Sequence, residues 1–137
     1  MMTFEEQQRA IEMHFQPLRG LEKAHVESIE PGKVRVSLVL DENMLNYKGT
    51  LHGGFLSMVG EAVFGLDTYL YDCLPNVTMC VDYHFISPSR VGDTLFFSCE
   101  TLHKGRSSIV QELIVTNQTG KLIAFAHATM LPMPGKA

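Results

Sequence analysis

The sequence predicts an α+β domain in which a curved antiparallel sheet of about six strands wraps around one long central helix. Two observations carry that expectation. The stretch Gly53 to Tyr71 is apolar nearly all round, and a helix of that character is buried, not laid on a surface. Short runs of strand character stand on both sides of it, and no second long helix is in sight. A sheet with only one helix to pack must curl about it.

The elements follow in chain order. Thr3 and Glu6 stand at capping-box spacing and open a short helix with Phe4, Ile11 and Phe15 on one side, ended by Pro17. His25 to Glu30 reads as a strand, and Pro31-Gly32 turns it into the period-two run Val34 to Leu40. A loop carrying Asn46 leads to Gly53-Gly54, where the central helix starts. In that helix Leu56, Val59, Val63, Leu66 and Leu70 recur at three- and four-residue steps, while Phe55, Met58, Ala62 and Tyr69 make the other side apolar. A narrow stripe of small residues, Gly54, Ser57, Gly65 and Thr68, runs between them and holds Glu61, read as the single carboxylate in the helix's middle. Leu74-Pro75-Asn76 closes the helix. Four strands are expected beyond it: Val77 to Ile86, with Val77, Met79, Val81, Tyr83 and Phe85 on one face, then Thr94 to His103, Ser107 to Thr116 and Lys121 to Met130. Hairpins are expected after the helix, and a frayed tail from Pro132.

At 137 residues the chain has room for one domain, 1–137, and one core. A net charge of −4 argues against a nucleic-acid-binding surface. The cysteines Cys73, Cys80 and Cys99 cannot all pair within one chain and form no C-x-x-C, which points to a reducing compartment and not to a zinc site. With no membrane-spanning run and no signal-peptide core, the chain reads as cytoplasmic. The six histidines are scattered, so no metal is expected. The far side of a helix that is apolar all round needs a cover, and a second copy of the chain is the economical one. That is the hotdog architecture, paired as a homodimer.

A sharper pattern lies around the helix start. Asn46 is followed six residues on by His52-Gly53-Gly54, and Glu61 stands nine residues after the histidine. Val77-Thr78-Met79 and then Phe85-Ile86-Ser87-Pro88-Ser89-Arg90-Val91-Gly92-Asp93 form a second block. With these motifs the chain resembles the hotdog-fold acyl-CoA thioesterases, in particular the PaaI-like branch, over nearly its whole length. The resemblance implies hydrolysis of an acyl-CoA to free acid and CoA, without cofactor, in a homodimer or a dimer of dimers (a homotetramer). It implies a catalytic set of Glu61 as nucleophile or general base, Gly53 as the backbone N–H that polarises the thioester carbonyl, Asn46 as a positioning amide, His52 as the orienter of the loop, and Thr78 as a hydroxyl beside the carboxylate. Branches with Asn at position 46 usually carry Asp where Glu61 stands, and branches with Glu there have Gln at 46 and Ser or Thr in place of Gly65. The acyl group stays open.

The residue chemistry agrees with those roles. A helix N-terminus offers free N–H groups and a favourable dipole to a developing oxyanion, and glycine at 53 and 54 lets a substrate approach the backbone. Gly54 and the basic turn residues Arg90, Lys104 and Arg106 are the candidate contacts to the substrate's carrier, whose phosphates carry negative charge. His84 alternates away from the apolar face of its strand. Gly53 and Glu61 are separated by about 12 Å along one helix axis, and a glutamate side chain spans only a fraction of that gap. Two antiparallel helices across a two-fold axis would bring each Gly53 to the partner subunit's carboxylate, giving two composite sites. Two rivals are weighed. A hotdog hydratase or dehydratase would carry a histidine about fourteen residues before the helix acid, where this chain has Tyr47. A non-catalytic acyl-CoA-binding protein on the same scaffold would have no need of Glu61.

Overall fold

The computed structural model describes residues 2–15 and 20–133. Helix α1, Phe4–His14, opens on the expected capping box, with Glu6 N–H donating to Thr3 Oγ1 at 3.1 Å and Thr3 N–H to Glu6 Oε2 at 2.7 Å. Pro17 lies outside the described residues. Ala10 and Phe15 are buried, but Phe4 is 74% exposed at the free end of the helix, so the expected apolar side is only partly used.

Strands β1, His25–Glu30, and β2, Lys33–Val39, form a hairpin whose turn requires Gly32 at φ +86°. The central helix α2 runs Gly53–Asp72 and ends on Cys73 in the left-handed region. Strands β3, Asn76–Phe85; β4, Thr94–Lys104; β5, Ile109–Asn117; and β6, Leu122–Pro132 follow. The tail thus stays in the sheet as far as Pro132. All pairs are antiparallel, in the order β1-β2-β4-β5-β6-β3. Hairpins join β4, β5 and β6 as expected. Strand β3 does not pair with β4; it crosses the domain and pairs with β6, leaving its other edge unpaired in the chain.

The core fills the space between α2 and the inner face of the sheet. Leu56, Val59, Val63, Phe64, Leu66 and Leu70 of the helix are buried, as are Val36 and Leu38 of β2, Leu95 and Phe97 of β4, Leu113 and Val115 of β5, and Met130 of β6. Burying one such side chain contributes roughly 1.5–3 kcal/mol, which explains why the helical periodicity forecast this face.

Three expectations about α2 and β3 need correction. First, β3 carries a bulge between Thr78 and Cys80. A bulge adds one residue and reverses the in-out phase. Val81 and Tyr83 pack on the core, while Val77 and Met79 are exposed at 46% and 63% and Thr78 is half-buried instead. Second, Glu61 is not the only carboxylate in the body of the helix. Glu61 is exposed, and Asp67 is the carboxylate that is fully buried. Third, part of the far side of α2 is covered by the chain's own α1. The His14 ring lies 3.0 Å from where a Cβ at Gly65 would sit and 5.5 Å from the Tyr69 ring. Gly65 is small because an imidazole occupies its space.

Candidate active site

The loop before α2 is held by main-chain bonds on both sides. Asn46 N–H donates to Thr50 O at 2.7 Å, His52 N–H to Met44 O at 2.9 Å, and Leu51 N–H to Ser89 O at 2.8 Å. Asn46 builds the turn with its side chain as well. Its Oδ1 accepts from Lys48 N–H at 2.9 Å and Thr50 N–H at 3.3 Å, and its Nδ2 donates to Thr50 Oγ1 at 3.1 Å. The second Nδ2 hydrogen has no partner among the described residues, and Asn46 lines a cleft together with Gly53.

His52 is the N-cap of α2, and its Nδ1 accepts from Gly54 N–H at 2.9 Å. An accepting Nδ1 assigns the ring proton of the neutral imidazole to Nε2. In this arrangement His52 caps the helix as an acceptor, and Gly54 contributes its bare surface because its N–H is taken. Phe55 and Leu56 N–H both turn back to His52 O. Gly53 N–H forms no hydrogen bond among the described residues and is the free donor at the helix start. The fit there is close: a Cβ at Gly53 would sit 3.3 Å from the Phe85 ring, which would have to shift by a few tenths of an ångström.

Further along α2, Thr78 Oγ1 donates to Glu61 Oε1, so the bulged strand delivers the hydroxyl to the carboxylate. Tyr83 lies between the two ends of this seam. Its hydroxyl donates to Ser57 O at 3.1 Å, its ring stacks on Phe85 with centroids 6.0 Å apart, and burial, with Glu61's charge, pushes its phenol well up. Ser57 Oγ in turn donates to Gly53 O at 2.9 Å. The glutamate and Gly53 N–H remain about two turns apart, about 12 Å by helical rise.

Two clefts flank the helix start. One, of ≈ 400 Å³, is lined by Asn46, Lys48, Gly53, Leu56, Phe85 and Ser89 among others. The other, of ≈ 300 Å³, is lined by Met44, Leu45, His52, Gly54, Phe55 and Met58 together with Asn43. Of the basic residues singled out, Arg90 follows Ser89 at this end, its N–H bonded to Asp93 Oδ2 at 2.9 Å. Lys104 lies at the opposite end of α2, with Nζ 5.0 Å from the Tyr71 ring, and Arg106 is in the same turn. One chain therefore does not bring the three together. His84 is exposed on the outer face, 3.2 Å from Asp82 Oδ2 and stacked on Phe125, outside this site. Lys48 went unnoticed in the sequence, although it is the one cation between Asn46 and Gly53.

A six-stranded antiparallel sheet curled around one long helix, whose glycine-opened N-terminus borders a cleft, defines a hotdog-type scaffold. The chain belongs to the thioesterase superfamily, whose model matches residues 48–124. It is 31% identical to human acyl-coenzyme A thioesterase 13 over 116 residues, 81% of each chain. It is 28% identical to the Escherichia coli acyl-coenzyme A thioesterase PaaI over 101 residues, covering 71% of this chain and 69% of that one. Among solved structures, a Streptococcus mutans protein bound to acetyl CoA superposes with a TM-score of 0.81 at 28% identity, covering 90% of this chain and 99% of that one.

Proposed function

We propose that this protein hydrolyses acyl-CoA thioesters at composite sites, each built from Gly53 of one protomer and Glu61 of another. The activity itself follows from the family and from relatives that are acyl-CoA thioesterases by name. The observation that carries the composite site is the separation of the free Gly53 N–H from the Glu61–Thr78 pair along one helix. Attack within ~3–3.5 Å and oxyanion binding at one carbonyl cannot both be met across that distance. The unpaired edge of β3, with Val77 and Met79 exposed, and the open stretch of α2 around Gly54, Met58 and Glu61 give a second copy a place to dock.

In this reading the thioester oxygen accepts from Gly53 N–H, aided by the helix dipole. The partner subunit's Glu61, held by the Thr78 hydroxyl, takes a proton from water as the water oxygen adds to the carbonyl carbon. Collapse of the tetrahedral adduct breaks the carbon–sulfur bond, the Glu61 carboxyl passes its proton to the departing sulfur, and CoA thiol and the acid leave with the carboxylate regenerated. Direct attack by the carboxylate would instead give an anhydride, which water then cleaves to the same products. His52, protonated on Nε2, orients the loop in either case, and Asn46 holds it. Of the three basic turn residues, Arg90 is the one next in the chain to a residue that lines this end of the site, Ser89.

The test uses thiol release from a panel of acyl-CoAs. Glu61→Gln should fold and lose at least ~100-fold in kcat. Co-refolding inactive Glu61→Gln with inactive Asn46→Ala should restore roughly a quarter of wild-type activity, because half the dimers are mixed and each has one intact site. A mixture that stays inactive despite verified subunit exchange refutes the composite site.

A further inference from the structure

Among the described residues, two side-chain hydrogen bonds tie β3 to α2. One is the Thr78–Glu61 pair, and the other joins the Tyr83 hydroxyl to Ser57 O at 3.1 Å. In an α-helix the carbonyl of residue 57 is the one to which the N–H of residue 61 donates, so Tyr83 grips the turn from which Glu61 hangs. The hydroxyl has a seat made for it. Gly60 is buried and stands next to Glu61, and a Cβ there would run into the phenol oxygen. The ring is fixed as well: it packs on the core and stacks on Phe85 with the two planes 11° apart. Burial and the charge of Glu61 push the phenol well up, so the hydroxyl keeps its proton and stays a donor.

Glu61 itself is exposed, and a glutamate side chain loose in water spreads over many rotamers. Attack at a carbonyl needs one of them, because a misplaced group loses most of its effect. Thr78 can hold the carboxylate only if β3 is fixed against α2. The bulge between Thr78 and Cys80 interrupts the ladder to β6 at that point, so the ladder alone does not fix it. From the hydroxyl seated on Gly60 and bonded to Ser57 O, we infer that Tyr83 is a positioning residue for the hydrolysis, holding β3 on α2 so that Thr78 meets Glu61. Tyr83 acts through those two residues and not on the substrate. The inference rests on Glu61 being the acid of the proposed reaction.

The experiment measures thiol release from an acyl-CoA that the wild type turns over. Tyr83→Phe keeps the ring and its stack and loses the hydroxyl, so kcat should fall about fivefold with KM unchanged. Tyr83→Phe added to Thr78→Ala should slow that variant no further, because the two residues act as one unit. Gly60→Ala displaces the same hydroxyl without removing it and should lower kcat by a similar factor, which gives a second reading should Tyr83→Phe fail to fold. Wild-type kcat in folded Tyr83→Phe overturns the inference. So does a double variant in which the two losses multiply, since Tyr83 would then act apart from Thr78 as a packing residue. Loss of kcat in Glu61→Gln beside wild-type kcat in Tyr83→Phe overturns this inference alone. Full kcat in folded Glu61→Gln removes the acid being positioned and overturns the proposed reaction together with it.

Discussion

Asp67→Asn should make the protein more stable at pH 8 and remove the part of its stability loss with rising pH that comes from ionising this buried carboxyl. Asp67 is 0% exposed. Its Oδ2 accepts from Thr101 Oγ1 at 2.6 Å and Gln111 Nε2 at 2.7 Å, while its Oδ1 and Gln111 Oε1 are buried with no partner. Burial pushes the Asp67 carboxyl above the usual range, and the two donors only partly oppose it. No cation pairs with it among the described residues. A folded-state pKa raised above the unfolded value of about 3.9 contributes stability that is complete below that value and is lost as pH rises through the folded one. The same burial by a neighbouring acid keeps the Cys99 thiol protonated, its pKa pushed well up. Asparagine has the shape of the neutral acid. Its oxygen can accept the same two bonds, and its amide supplies a donor where two acceptors now lack one. The gain is on the order of 1–3 kcal/mol, the cost of an unsatisfied buried polar group, or roughly 3–10 °C in Tm for a chain of this size. Asp67→Ala should instead destabilise, because it orphans Thr101 Oγ1 and Gln111 Nε2 and leaves a cavity. Thermal unfolding at pH 5 and pH 8, at one protein concentration, reads the difference. Asp67→Asn being as destabilising as Asp67→Ala at pH 8 would show that the donors stabilise the ionised carboxylate and refute the reasoning.

Thr78→Ala removes the donor to Glu61 and should lower kcat about tenfold with KM nearly constant; a change confined to Tm would make Thr78 a packing residue only. Gly65→Val places a branched side chain where a bare Cβ already meets the His14 ring at 3.0 Å. Faster amide exchange at Ala10 and Ile11, with α2 still protected, is expected, and unchanged exchange in α1 would refute the docking role of Gly65.

Much of the scaffold was legible in local pattern. The capping box at Thr3 and Glu6 needs only three residues of spacing, and the start of α2 at Gly53 follows from a turn and an apolar period. The motif around Asn46, His52 and Glu61 pointed to the site, and the resemblance placed Thr78 beside the carboxylate, where Thr78 Oγ1 is found. Strand order was not legible, because β3 could satisfy its hydrogen bonds equally well beside β4 as beside β6. The bulge at Thr78 escaped for a related reason: alternation in sequence assumes an unbroken ladder, and the partner strand decides where it breaks. Asp67 lies between Leu66 and Thr68 with nothing local to mark it as buried. Its partners, Thr101 and Gln111, are 34 and 44 residues away and arrive only when β4 and β5 fold over the helix. Lys48 went unnoticed because the cleft that it lines with Phe85 and Ser89 forms only in the folded chain. Hydrogen-bond spacing and apolar period are properties of neighbours in the chain and can be read from it. Burial, pairing and the shape of a cleft depend on residues that meet only in the folded protein, and tertiary structure alone decided them.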